Sequence, residues 1–203
     1  LITLRDGVAA TMQSQLDETA RGLITAFAET SSSSPDAAGL FTWSGAPAVP
    51  AAGTLVDGLA GSIRVNAAMT PALLRDGGAN GAAYVQNSGG GSSYADLLIA
   101  YGDRLDQPMA FDAAAGITAT SSVADYAANA IGWFEGVRQQ ASTTADAKEA
   151  LATRTADALS NDTGVNVDQE MSLLLDLEHT YQASARMMKT VDDMLDALMN
   201  AVG

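Results

Sequence analysis

The sequence predicts a mainly α-helical protein, a long-helix bundle or coiled-coil-like rod with a small inserted β-containing element. Three observations carry this reading. Both ends of the chain repeat apolar or small residues every three to four positions, the period of an amphipathic helix. The prolines, at 35, 47, 50, 71 and 108, all lie in the middle. Hydrophobic residues reach 47% of the 203 residues while aromatics are only 5%, a composition suited to helices packed closely through small side chains.

Residues 1–30 form the first helix. Val8, Met12, Leu16, Leu23 and Phe27 share a face, with Ala20 between them. Thr3 and Asp6 have the spacing of a capping box. Gly7 and Gly22 each weaken a helix by roughly 1 kcal/mol relative to Ala, unless close contact with another element requires them. The serine run Ser31–Ser34 and Pro35 end the helix.

Residues 31–121 are a mixed α/β insertion. Leu40–Trp43 and Ser62–Val65 alternate in the manner of short strands. Such a hairpin is marginal alone and must pack on something. Thr70 caps a short helix that begins at Pro71 and stops at Asp76-Gly77-Gly78. Gly89–Gly91 is a linker. It lacks the preceding strand and the Lys-Ser/Thr ending of a phosphate loop. Ser93–Leu105 is a helix with Tyr94, Leu97, Leu98, Tyr101 and Leu105 on its inner side, and Met109–Asp112 is extended.

Residues 122–203 are expected to form a helical hairpin. Ser122 caps its first arm, with Asp125 three residues on. The seam runs Val123, Tyr126, Ala130, Trp133, Val137, Ala141, Thr144, Leu151 and Ala158, turning polar near Thr143–Lys148. Asn161–Gly164 is the turn. Asn166 then caps the terminal helix, with Gln169 at capping-box spacing and Asp168 and Glu170 where the helix dipole favours acids. The seam of this last helix is Val167, Met171, Leu174, Tyr181, Ala185, Met188, Leu195, Leu198 and Val202. These nine are the candidate contact residues for subunits or a chaperone. Met187 and Met188 suit either an adaptable binding surface or ordinary packing.

The chemistry-bearing residues do not assemble into a catalytic, cofactor or metal site. The one histidine, His179, lacks the three or four ligands of a zinc centre, which Glu170 and Glu178 do not complete. Asp192, Asp193 and Asp196 lie on a helix, whereas calcium takes a glycine-punctuated loop. No Ser-His-acid arrangement can be named. There is no cysteine, which excludes disulfides and thiol chemistry. A net charge of −14 with scattered bases disfavours nucleic acid and anionic membrane surfaces as partners. No apolar run reaches transmembrane length and no secretory signal is visible. The chain begins at Leu1 without Met and reads as a C-terminal piece of a longer protein.

The run from Val165 to Glu170, followed by Tyr181-x-Ala183-x-Ala185-Arg186 and Thr190-x-Asp192-Asp193-Met194-Leu195-Asp196-x-Leu198, resembles the C-terminal signature of bacterial flagellar axial proteins. Thr163–Asn166 is similar to the way the FlgK family of hook-associated proteins enters this helix. Leu4–Asp6 and Leu16–Glu29 resemble the same family, in the expected order. The resemblance covers roughly residues 1–30 and 122–203. It implies a structural role without catalysis, an adaptor at the hook–filament junction assembled by helix packing. It implies self-association in a ring, contacts with the hook protein and neighbouring hook-associated proteins, and a flagellar export chaperone. It also implies type III export and an extracellular, flagellar location. Within the superfamily the alternative is a hook or rod component. From another class, the alternative is an adhesin-like binding module using Phe41, Trp43, Tyr84 and Tyr94. Those four clustered in an exposed groove would favour it; burial against the helices would not.

Overall fold

The computed structural model describes residues 4–164 and 166–202, with the side chain of Val202 left aside. The expected Thr3 cap and the Val165 start of the terminal signature lie outside the described residues. The chain divides into two units, Leu1–Ala141 and Ser142–Gly203, and the boundary falls inside one helix. The architecture is mainly α with two small antiparallel sheets.

The first unit is built around helix α1, Ala9–Ala26, which a π turn at Leu4–Val8 precedes. The helix ends at Phe27, whose N–H donates to the Leu23 carbonyl, while the Ala28 N–H donates to the Thr25 carbonyl. Short helices and strands then follow. Strands β1 (Phe41–Thr42) and β2 (Arg64–Val65) pair antiparallel, Phe41 opposite Val65. Between them sits the single turn α2, Leu59–Ser62. Helix α3 (Pro71–Asp76) is capped by the Thr70 hydroxyl, which accepts from the Leu73 N–H at 3.2 Å. Helix α4 runs Asp96–Asp106. Strands β3 (Met109–Ala110) and β4 (Thr120–Ser121) form the second pair.

Two apolar clusters flank α1. One gathers Ala20, Ile24, Ala38 and Leu59, with Phe41, Trp43 and Ile63 packed against it. The other gathers Phe111, Ala115, Val123 and Tyr126, in which the Phe111 and Tyr126 rings stack at 3.9 Å. The second brings in the first turn of helix α5 (Val123–Thr163), where the Asp125 N–H donates to the Ser122 hydroxyl at 3.1 Å. Gly22 lies at this contact. A Cβ there would stand 3.1 Å from Val123 Cγ2, so the glycine that weakens α1 also admits the start of α5.

The expected inner face of α1 is corrected. Leu16 is 44% exposed, while Gln15, Asp17, Glu18 and Arg21 are buried alongside Ala20 and Ile24. The reason is hydrogen bonding. Asp17 accepts from the backbone N–H groups of Gly58 (2.9 Å) and Ala60 (2.7 Å) and from Gln13 Nε2. Glu18 takes both arms of the Arg21 guanidinium at 2.8 Å and the Asp112 N–H at 2.8 Å. Arg21 also donates to the Ala110 carbonyl. Just past the helix, Glu29 accepts from the N–H groups of Ala79 and Asn80, both at 2.8 Å. Charges buried in this way are satisfied, and each fixes a loop onto α1. Leu98 on α4 is likewise exposed rather than inward, while Leu97 and Tyr101 are buried.

The second unit holds the end of α5 and helix α6, Val167–Val202. Residues Asn161–Thr163, expected in a turn, instead continue α5, and the Thr163 hydroxyl donates back to the Leu159 carbonyl at 2.7 Å. Gly164 ends the run; a Cβ there would collide with the Ser160 carbonyl. The Asn166 side chain then caps α6, accepting from the N–H groups of Asp168 (3.1 Å) and Gln169 (3.2 Å). Every residue from Ser142 to Ala201 whose side chain is described is exposed. The seams expected to close on each other in a hairpin are therefore open within this unit. Small and polar residues on this part of α5 offer too little apolar surface to hold α6.

Candidate assembly surface

All the expected contact residues on α6 with described side chains are exposed: Val167, Met171, Leu174, Tyr181, Ala185, Met188, Leu195 and Leu198. Val202 is the last residue of the helix. Leu174 is 61% exposed and Tyr181 76%. Ordinary packing as the fate of Met187 and Met188 is also set aside, since both are exposed.

The surface is wider than that seam. With Val167 at heptad position a, the a column reads Val167, Leu174, Tyr181, Met188 and Leu195, and the d column includes Leu177, Val191 and Leu198. Apolar residues also fill the flanks, Leu173, Met187 and Met194 at g, and Met171, Ala185 and Met199 at e. At ~100° per residue, these four columns span about 150° of the helix circumference. The opposite face carries Asp176, His179, Gln182, Arg186, Asp193 and Asn200. Reading all four heptad columns, rather than one seam, would have found Leu177, Val191 and the flanking methionines in the sequence.

Elementary energetics gives such a stripe one use. Covering a Leu, Val or Met side chain contributes about 1.5–3 kcal/mol, so a partner along 36 helical residues gains far more than association costs. The Thr180 hydroxyl within the stripe does not oppose this. It is satisfied inside the helix, donating to the Asp176 carbonyl at 2.7 Å. Two shallow concavities lie along the helix. Met171, Leu174, Leu175, Leu177, Glu178 and Tyr181 line one; Met187, Met188, Lys189, Val191 and Asp192 line the other, and among the described residues Lys189 forms no ion pair with Asp192.

The remaining candidates resolve otherwise. Phe41 packs edge-on against Phe27 at 5.4 Å, and Trp43 lies against the first apolar cluster, its Nε1 donating to the Ala48 carbonyl at 2.7 Å. Tyr84 lines a groove with Pro35 and Pro47, and its hydroxyl donates to the Pro35 carbonyl. Phe41, Trp43 and Tyr84 are thus divided between an apolar cluster and a separate groove. Among the described residues, no group of three or more His, Asp or Glu is placed to hold a metal ion, and no helix is long and apolar enough to cross a membrane.

The comparisons with known proteins bear on the same helix. No curated protein and no solved structure matches the chain. Residues 160–201 match the family described as flagellar basal body rod FlgEFG protein C-terminal. That match, over the helix whose apolar stripe is open, supports a structural, non-catalytic component of the flagellum, of rod or hook type.

Proposed function

We propose that this chain is the C-terminal portion of a hook-associated protein of the FlgK kind, an adaptor at the hook–filament junction. The carrying observation is the open heptad stripe of α6, coincident with the flagellar family match over 160–201. A helix of 36 residues runs about 54 Å and needs helical partners over that length. In this reading residues 1–30 and 122–203 belong to the helical rod domain, and 31–121 are its inserted outer module. The stripe centred on Leu174, Tyr181, Met188 and Leu195 packs against neighbouring subunits in a ring and against hook and hook-associated proteins. Before export through the flagellar type III pathway, a chaperone covers the same stripe.

A second reading is favoured by the family match itself, whose description names rod-type proteins: a component of the rod or hook. One experiment separates the two. Codons 165–203 are deleted from the parent gene and flagella are examined by electron microscopy. The junction reading expects hooks without filaments and flagellin shed into the medium. Missing hooks would assign the protein to the rod or hook. Normal filaments would overturn both.

A further inference from the structure

The stripe of α6 is not uniformly apolar. Its e column reads Met171, Glu178, Ala185, Asp192 and Met199, so two of the stripe's three acids stand there two heptads apart, the third being Glu170 in the d column. Each lies in one of the two concavities already described. Both residues are exposed, and among the described residues neither forms an ion pair. Glu178 accepts one hydrogen bond, from Gln182 Nε2 at 3.1 Å. In water these carboxylates cost nothing. Under a covering helix they lose solvent, and an unpaired buried charge is strongly unfavourable.

We propose that the partner covering the e side of α6 is an amphipathic helix carrying two cationic side chains two heptads apart, one for Glu178 and one for Asp192. The inference rests on the reading of α6 as an assembly helix and adds the chemistry of its partner. A rise of about 1.5 Å per residue sets the two cations roughly 21 Å apart along that partner. A parallel helix presents such groups at g positions, where interhelical ion pairs set partner choice. On this e side a second copy of the chain does not fit, so contacts between neighbouring subunits fall to the a, d and g columns. Its helical bases are Arg21 on α1, Arg75 on α3, Arg104 on α4, Arg138, Lys148 and Arg154 on α5, and Arg186 and Lys189 on α6. No two on one helix have that spacing, and the −14 charge sets copies against each other. The occupant is therefore a basic helical segment other than those within residues 1–203.

The test uses the full chain and a labelled helical peptide of about 35 residues, with Leu at a and d and Lys at two g positions two heptads apart. A control peptide carries Glu at those two positions. Fluorescence anisotropy is read at low and high salt. The lysine peptide is expected to bind at least about tenfold tighter, with the preference lost at high salt and in the E178Q/D192N variant. Equal binding of the two peptides, or a preference that survives E178Q/D192N, overturns the cationic partner while leaving the stripe as a docking face. Binding of neither peptide overturns the docking face as well. Self-association of the chain, by sedimentation, as tight as the lysine peptide's binding would return the e side to a second copy.

Discussion

Helices α1 and α6 are both amphipathic in sequence, and the chain treats them in opposite ways. On α1 a Leu of the apolar repeat is exposed while two acids, an arginine and a glutamine are buried. On α6 the apolar residues with described side chains are all open. The difference lies in what surrounds each helix. The N–H groups of Gly58, Ala60 and Asp112 and the Ala110 carbonyl meet charged side chains of α1, and the N–H groups of Ala79 and Asn80 meet Glu29 just past it. Within its own unit α6 meets no such loops. An apolar stripe that its own unit leaves open is a statement about partners; a polar face that its own unit covers is a statement about folding.

The largest effect should come from breaking the buried pair on α1. Glu18 and Arg21 are essentially inaccessible, and Glu18 also holds the Asp112 N–H. Arg21→Met leaves the Glu18 carboxylate buried without its cation and is expected to cost about 3–5 kcal/mol. Urea unfolding followed by Trp43 and Trp133 fluorescence measures it. A loss below about 1 kcal/mol would mean that the pair is solvated and that α1 resembles α6 after all.

A smaller effect sharpens the same contrast through pH. The Tyr126 hydroxyl is buried with no hydrogen-bond partner among the described residues. Burial first, and then the nearby Glu18 charge, push its pKa up to about 12. The unfolded chain ionises near the ordinary tyrosine value of about 10, before the folded one does. The stability tied to the neutral phenol is therefore fully present below pH ~10 and lost as pH rises towards 12. Tyr126→Phe should make the alkaline decline shallower, while shifting neutral-pH stability by no more than about 1 kcal/mol. An unchanged alkaline slope would remove Tyr126 from that account. Tyr101, whose pKa burial also raises, remains to give a residual slope.

These two predictions show where the sequence was legible. Elements marked by local chemistry were readable: the Thr70, Ser122 and Asn166 caps, the Phe41–Val65 pairing, and the α6 stripe all follow from short-range patterns. The inner face of α1 was not. Its acids are satisfied by backbone groups 41 to 94 residues away, which no periodicity announces. The turn at Asn161–Thr163 is misplaced for another reason. The turn residues Asn161–Thr163 are also compatible with helix, and only long-range packing decides between the two. On α6 the seam holds the a column with Met171 and Ala185 of e and Leu198 of d, and it leaves out Leu177, Val191, Met199 and the g column.

The smallest expected effect on stability is the most telling. Leu174→Asp and Leu195→Asp place charges in the a column of α6, where both leucines are more than half exposed. Because neither side chain is buried in the isolated chain, each should change unfolding free energy by less than about 0.5 kcal/mol. The same substitutions in a buried core would cost several kcal/mol. In the parent protein they should block filament growth as the deletion does, since a covered stripe must then bury the new carboxylate. A large loss of stability in the isolated chain would show that α6 is already packed in solution. Unchanged assembly in cells would show that the a column is not the covered face. Only the pairing of intact folding with lost assembly assigns these leucines to a partner rather than to the fold.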